Sequence, residues 1–459
     1  MTRFATLTSL SASQLDNLHQ LGYHTMTPIQ AASLPAILAG KDVRAQAKTG
    51  SGKTAAFGLG VMQHIDSGRF VTQALIVCPT RELAEQVAEE MRRLARAIAN
   101  VKILTLCGGQ PVGTQRDSLV HPPHIVVGTP GRIVDHLKRE TLKLQQIKTL
   151  VLDEADRMLE MGFREEIDAL ISHCPASRQT LLFSATWPDD IKQIGQRIQR
   201  DPLSVETDVA PDLSHIEQLF YEAAPGDKLA ALTGLLSERQ PSSCVVFCNT
   251  KRECNEIANA LEHRHISALA LHGDLEQRER DHVLIRFANG SCRVLVATDV
   301  AARGLDIKLL AMVVNYQLAF DPEVHLHRIG RTARAGEKGI ALSLVAPDEM
   351  VRVITLEDFL QQKVVWRNLA SLTSVSFKPL SAEMVTLSID GGKKAKMRPG
   401  DILGALTGEV GLNSESIGKI NITPNHAYVA VHHAVAREAT KQLQQVKIKG
   451  KTCRARLLK

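Results

Sequence analysis

Three short strings in this sequence combine the residue types and spacings that phosphate chemistry needs. In AKTGSGKT (47–54), Gly50 and Gly52 let successive backbone N–H groups curl around phosphate oxygens. The helical pattern that follows adds the partial positive charge of a helix N-terminus. The motif spans Ala47, Lys48, Thr49, Gly50, Ser51, Gly52, Lys53 and Thr54. Lys53 is placed to reach the β- and γ-phosphates of a nucleoside triphosphate, and the Thr54 hydroxyl to bind Mg2+. The strict pattern opens with Gly, whereas position 47 is Ala. LVLDEAD (150–156) ends an apolar run in carboxylates, and sheets of this kind carry functional residues at the C-terminal ends of their strands. Asp153 is then the Mg2+ partner, with Glu154 placed to orient or deprotonate the attacking water. HRIGRTARAG (327–336) gathers Arg328, Arg331 and Arg334. Arginines at i and i+3 share a helical face, and the planar cations of Arg331 and Arg334 suit a γ-phosphate. Each string alone also has a plainer reading: a Gly/Ser turn, acids at a helix start, surface ion pairs.

The elements that must position these residues follow from the apolar pattern. ALIVC (74–78), HIVVG (124–128), TLVLDE (149–154) and TLLFSA (180–185) alternate with amphipathic stretches, and a short strand-like run precedes the phosphate motif. Strands alternating with helices predict βαβ units and a parallel sheet covered on both faces. Arg44, a charge inside a strand, is expected to mark a strand that starts near the surface. VETDVAPDLSH (205–215) reads as a linker. A second alternation runs through CVVFC (244–248), ISALAL (266–271), RVLVAT (293–298), AMVVNY (311–316) and GIALSLV (339–345), with a further break at SVSFKPLS (374–381). The last stretch predicts β (384–389), α (399–407), β (417–422), β (427–432), α (434–444) and β (447–457). The expected domains are therefore 1–208, 216–370 and 380–459.

Composition narrows the classes. The 459 residues are 44% hydrophobic and 23% charged, ordinary for a folded protein and unlike collagen, coiled coil or disordered chain. No stretch approaches the roughly 18 apolar residues of a membrane span, and MTRFATLTSLSASQ has no apolar core of a signal peptide. Eight cysteines without a CxxC pair suggest a reduced cytoplasmic protein with neither a disulfide framework nor a structural metal. From Leu380 onward 13 basic residues face 6 acidic ones, while the rest of the chain holds 42 and 43. The entire excess of the +6 net charge thus lies in the last eighty residues, which points to an appended module for a polyanion such as nucleic acid.

Taken in order, GYHTMTPIQ (22–30) with Phe4 upstream, AKTGSGKT, PTRELA (79–84), GG (108–109), TPGR (129–132), DEAD (153–156), SAT (184–186), VVFCNT (245–250), HGDLEQRER (272–280), ATDVAARGLD (297–306) and HRIGRTARAG resemble the DEAD-box family of ATP-dependent RNA helicases, through most of residues 1–365. The resemblance implies an α/β fold with two tandem RecA-like domains that close on ATP and RNA. It implies that Gln30 and Thr25 select adenine, that Phe4 stacks on it, and that Asp306 holds the ribose. Ser184 and Thr186 would couple the nucleotide to domain closure, and Arg331 and Arg334 would stabilise charge on the γ-phosphate. Arg81, Gly109, Thr129, Arg132, Thr250, Gly273 and Thr298 would track the RNA backbone, largely without regard to sequence. The common family pattern has Gly where this chain has Ala333. The activity implied is RNA-stimulated ATP hydrolysis with local unwinding of short duplexes. The alternatives are a DNA helicase or translocase, disfavoured by the GYHTMTPIQ and PTRELA–TPGR–SAT set, and an ATP-gated RNA clamp without significant unwinding.

The β-α-β-β-α-β order of the last module suggests a small RRM-like α+β domain, a fold that usually stacks bases on aromatics of its third strand. Here that strand, HAYVAVHH (426–433), offers only Tyr428, the sole aromatic from Leu380 onward. Recognition must lean on Lys393, Lys394, Lys396 and Arg398 in GGKKAKMR, and on VKIKGKTCRAR (446–456). MRPGDILGALTGEVGL (397–412) and IGKINI (417–422) resemble the C-terminal domain of the bacterial DEAD-box protein A subgroup. That resemblance implies binding to a 23S rRNA hairpin, and partners among pre-50S particles during large-subunit assembly.

Overall fold

A computed structural model of the chain describes residues 2–47, 51–206, 213, 215–302, 310–333, 338–370 and 376–458. They fall into two compact units, one within 2–206 and one within 213–458. In the first, β1 (Val43–Gln46), β2 (Ala74–Val77), β3 (Ile103–Leu106), β4 (Ile125–Gly128), β5 (Thr149–Leu152), β6 (Gln179–Ser184) and β7 (Leu203–Glu206) form one parallel sheet ordered β3-β4-β2-β5-β6-β1-β7. In the second, β8 (Ile216–Glu222), β9 (Cys244–Cys248), β10 (Ala268–Leu271), β11 (Val294–Thr298), β12 (Met312–Asn315), β13 (Gly339–Val345) and β14 (Trp366–Arg367) are again all parallel, ordered β10-β11-β9-β12-β13-β8-β14. The central strands β2, β4, β5, β9, β11 and β12 are buried at every residue. Helices on both faces make them so, and this is why these strands read as continuous apolar runs.

The strands absent from the sequence reading are β3, β7, β8 and β14, at or near sheet edges. Leu203–Glu206, for example, buries only Val205, so its composition carries little strand signal. Arg44, whose strand lies between β6 and β7, is half-buried beside helix Asp189–Ile198. The guanidinium lies 5.7 Å over the Trp187 ring, and its Nε donates to Gln199 Oε1 at 3.4 Å. Gly195 leaves the space: a Cβ there would stand 3.2 Å from Arg44 Nη2.

The C-terminal module is a four-stranded antiparallel sheet of β15 (Met384–Asp390), β16 (Ile417–Ile422), β17 (His426–His432) and β20 (Ala455–Leu457), ordered β16-β17-β15-β20. The single strand expected over 447–457 is instead split. Lys449 and Gly450 take φ of 55° and 77°, a pair of left-handed residues that closes the tight hairpin of β18 (Lys447–Ile448) and β19 (Lys451–Thr452). Only Ala455–Leu457 joins the sheet.

Helix Pro28–Leu38 packs on helix Lys53–His64, which carries the phosphate-site lysine. Gly60 allows this approach: a Cβ there would fall on Ile37 Cγ2, a fully buried atom. Gly60→Ala gains up to ~1 kcal/mol of helix propensity but overpacks the contact at ~1–3 kcal/mol. Net destabilisation by chemical denaturation is expected, with partial recovery when Ile37→Val is added.

Candidate active site

Strand β1 delivers the chain to the phosphate loop, and Gly52, at φ 91°, starts helix Lys53–His64. Lys53 is 5% exposed, and its Nζ meets Asp153 Oδ1 at 2.6 Å and Glu154 Oε1 at 3.5 Å. Burial pulls the Lys53 ammonium down, but Asp153, Glu154 and Asp156 outweigh it and hold the group protonated, above its ordinary value. Burial pushes the Asp153 carboxyl up while Lys53 pulls it back. Asp153 Oδ2 and the Ser51 hydroxyl are buried without a hydrogen-bonding partner. Orphaned oxygens of this kind are rare in folded proteins. Here they form a hard-oxygen donor set that fits Mg2+ and its phosphate ligands, with Thr54 in the first turn of the same helix. Glu154 takes φ 52° and ψ 55°, a left-handed conformation that costs a non-glycine residue about 1–2 kcal/mol. Strain of this kind concentrates at functional sites.

Asp156 was given no role from the sequence, yet it organises the neighbouring turn. Its Oδ2 accepts from Ala185 N (3.1 Å), Thr186 N (2.9 Å) and Thr186 Oγ1 (3.0 Å). Its own N–H donates to Ser184 Oγ at 3.2 Å, and Ser184 O accepts from Ala47 N at 2.9 Å. The phosphate loop, the carboxylates and the 184–186 turn are thus one hydrogen-bonded unit. The available signal was a third acid in the same string, two residues after Glu154.

Gln30 is buried, and its Oε1 accepts from Thr27 N (2.9 Å) while Nε2 donates to Gly52 O (3.0 Å). A primary amide has one further position on each atom. Thr25 is exposed beside Arg3. Phe4 is only 3% exposed, edge-on to Tyr23 at 6.2 Å, so the ring expected to stack on adenine is packed into the core. Lys48, Thr49, Gly50, Asp306 and Arg334 lie outside the described residues.

Arg81, Gly109 and Thr129 with Arg132 follow the C-terminal ends of the neighbouring strands β2, β3 and β4. Thr250 and Gly273 do the same at β9 and β10, and Thr298 is the last residue of β11. Arg132 is held by Gln110 O (2.9 Å) and Gln115 Oε1 (2.8 Å), and Thr250 caps its helix through Glu253 N (3.3 Å).

The three arginines of the last block differ. Arg328, 1% exposed, forms a bidentate pair with Asp299 (2.6 and 2.8 Å). It also donates to Gln317 O (2.6 Å), Asn249 Oδ1 (3.0 Å) and Asn315 Oδ1 (3.3 Å). It therefore organises the strand ends of the second unit. The polar residues ending VVFCN and MVVN were the trace of this in the sequence. Arg331 is buried. Ala333 adopts φ 54°, the left-handed region that a Gly at this position would enter without penalty.

Lys393, Lys394, Lys396 and Arg398 are all exposed. Lys449, at the tip of the β18–β19 hairpin, donates to Lys396 O (2.6 Å) and pairs with Asp401 at 3.3 Å. The two basic stretches therefore form a single edge.

The DEAD/DEAH box helicase family model matches residues 27–194, the helicase conserved C-terminal domain matches 227–336, and the DbpA RNA binding domain matches 386–457. The chain is 64% identical over the full length of both proteins to an ATP-dependent RNA helicase, DbpA, of Escherichia coli. It is 45% identical over 79% of its length to the DEAD-box ATP-dependent RNA helicase CshA of Geobacillus kaustophilus, covering 78% of that protein. Among solved structures, S. cerevisiae Dbp5 bound to RNA and ADP BeF3 is similar at a TM-score of 0.72 and 29% identity, over 82% of this chain and 98% of that one.

Removing the hub tests the hydrogen-bonded unit. Thr186→Val is expected to cost ~1 kcal/mol, and Asp156→Ala ~2–4 kcal/mol by losing bonds to a charged acceptor. The double variant should cost less than the sum, a coupling of about 1 kcal/mol in a double-mutant cycle read by urea unfolding.

Proposed function

This chain belongs to the DEAD-box family of ATP-dependent RNA helicases, and we propose that its C-terminal module directs RNA-stimulated ATP hydrolysis and local duplex unwinding to a 23S rRNA hairpin during large-subunit assembly in the cytoplasm. The observation that carries the chemical part is the buried Lys53–Asp153 pair with Asp153 Oδ2 left orphaned beside it. A buried carboxylate oxygen left without a partner is costly, and a hard cation bound there would satisfy it. With a triphosphate bound, Lys53 would face the β- and γ-phosphates, and Asp153 with Thr54 would hold Mg2+. Bound Mg2+ supplies charge neutralisation at the phosphate oxygens. Glu154, already fixed by its backbone, orients the attacking water and takes up its proton. Gln30 uses its remaining N–H and lone pair on adenine with Thr25, while stacking by Phe4 requires that ring to leave Tyr23. Asp306 holds the ribose, and Arg331 and Arg334 stabilise charge on the γ-phosphate. In this reading Ser184 and Thr186, bonded to Asp156, couple the nucleotide to domain closure, and Arg81, Gly109, Thr129, Arg132, Thr250, Gly273 and Thr298 meet the sugar–phosphate backbone.

The match of residues 386–457 to the DbpA RNA binding domain supports the rRNA assignment. So does the single basic edge made by Lys393, Lys394, Lys396, Arg398 and Lys449. Its partners in this reading are 23S rRNA and pre-50S particles; no helix among the described residues is long and apolar enough to cross a membrane.

Steady-state ATPase with poly-A RNA and with a 23S fragment carrying the hairpin tests the proposal. Much stronger stimulation by the fragment is expected, and equal stimulation by both would remove the targeting claim. Glu154→Gln should lower turnover by about 100-fold or more while RNA binding with ATP persists. Replacing Lys393, Lys394 and Lys396 with Ala should weaken fragment binding and reduce its salt slope by about three, one unit for each phosphate no longer neutralised.

A further inference from the structure

The C-terminal module is not a domain on a free tether. Leu380, in the stretch read as a break before the last module, is fully buried in the apolar core of the second unit with Ile266 and Leu261. Its N–H donates to His265 O (3.2 Å), and its carbonyl accepts from Ser267 N (2.8 Å), a parallel bridge to Ile266 immediately before β10. Between Leu380 and the start of β15 at Met384 remain residues 381–383, which at roughly 3.5 Å each allow little freedom.

The face of the module's sheet is anchored as well. Along β15 the side chains alternate: Leu387 and Ile389 enter the module's own core, while Thr386 and Ser388 point to the other face. That face is also buried, with Thr386, Ser388, Tyr428 and Ala430 no more than 6% exposed. What covers it is helix Gln277–Ala288 and the turn after it. Thr386 Oγ1 bonds Asn289 Nδ2 (2.9 Å) and Ser291 Oγ (2.8 Å). Tyr428, opposite Ser388 in register, shares a 3.3 Å hydrogen bond with His282 Nε2, the rings edge-to-face at 5.8 Å. Burial lowers the His282 imidazole below its ordinary value, so it enters the contact neutral. A shifted placement that kept this face buried would leave these polar groups without partners, so the register of the contact is specified as well as favoured.

We infer that the sheet face of the C-terminal module, the base-stacking platform in RRM-like folds, is here a docking surface for helix Gln277–Ala288 of the same chain. His282, Asn289, Ser291, Thr386 and Tyr428 are accordingly positioning residues. They hold the basic edge at one place on the second helicase domain, so that the enzyme acts on duplexes at a set distance from the RNA its module grips. That set distance rests on the proposed rRNA targeting; the docking does not.

Spin labels at the exposed positions Glu256→Cys and Glu438→Cys of the full-length protein, without RNA, are expected to give one narrow distance distribution. His282→Ala with Thr386→Val should broaden it, and His282→Gln, which keeps a hydrogen-bonding group, should leave it narrow. A broad distribution in the parent, or no change in the double variant, would overturn the docking. Tyr428→Leu is expected to leave hairpin affinity, by fluorescence anisotropy, within about two-fold; a loss of about ten-fold or more, as stacking would give, overturns it. Unwinding of a duplex at fixed spacing from the hairpin should fall about five-fold or more in the double variant at unchanged hairpin affinity. An undiminished rate would sink the positioning role. Because the distance measurement contains no RNA, failure of the rRNA assignment would leave that arm standing.

Discussion

Charge removed from water is the constraint on which this structure depends. Lys53 and Asp153 meet at 2.6 Å with almost no exposure, and a buried charge deprived of its partner costs about 3–5 kcal/mol. Everything around the pair serves to keep it satisfied or to let it exchange partners: the helix N-terminus at Gly52, the strained Glu154, and the 184–186 turn held by Asp156. The second unit obeys the same rule. Arg328 is surrounded by five acceptor atoms, and Lys228 is closed by Glu349 Oε2 (2.5 Å) and Tyr316 O (2.9 Å). Glu349 in turn accepts from Leu318 N and Ala346 N.

Parallel sheets explain where these charges gather. Both faces are covered by helices, so polar chemistry is excluded from the strands and collects at their C-terminal ends. In each unit three adjacent strands end in the residues that the family resemblance assigns to RNA. Glu154, just past the end of β5, also takes a left-handed backbone, where surrounding packing outweighs a residue's own preference.

The C-terminal sheet shows the converse. Its outer face carries Thr, Ser, Ala and a single Tyr, too few aromatics to stack a nucleic acid, and these small polar groups match the His of helix Gln277–Ala288 and the Asn and Ser of the turn after it. A face poor in aromatics is therefore an interface, and the positive charge moves to the loop and hairpin at the edge.

The fold class, the strand ending in carboxylates and the basic module were legible in the sequence, because each leaves a local mark: a continuous apolar run, acids at its end, an excess of Lys. Tertiary structure alone decided the rest. Edge strands such as Leu203–Glu206 lack the apolar run, and a hairpin closed by Lys449 and Gly450 looks like a strand until its dihedrals are known. Arg328 is chemically identical to Arg331 in the string; only the strand ends it packs against distinguish a structural hub. Asp156, Leu380 and Tyr428 acquired their roles from partners 28 to 146 positions away. Such pairing depends on which strands become neighbours, and spacing along the chain does not encode it.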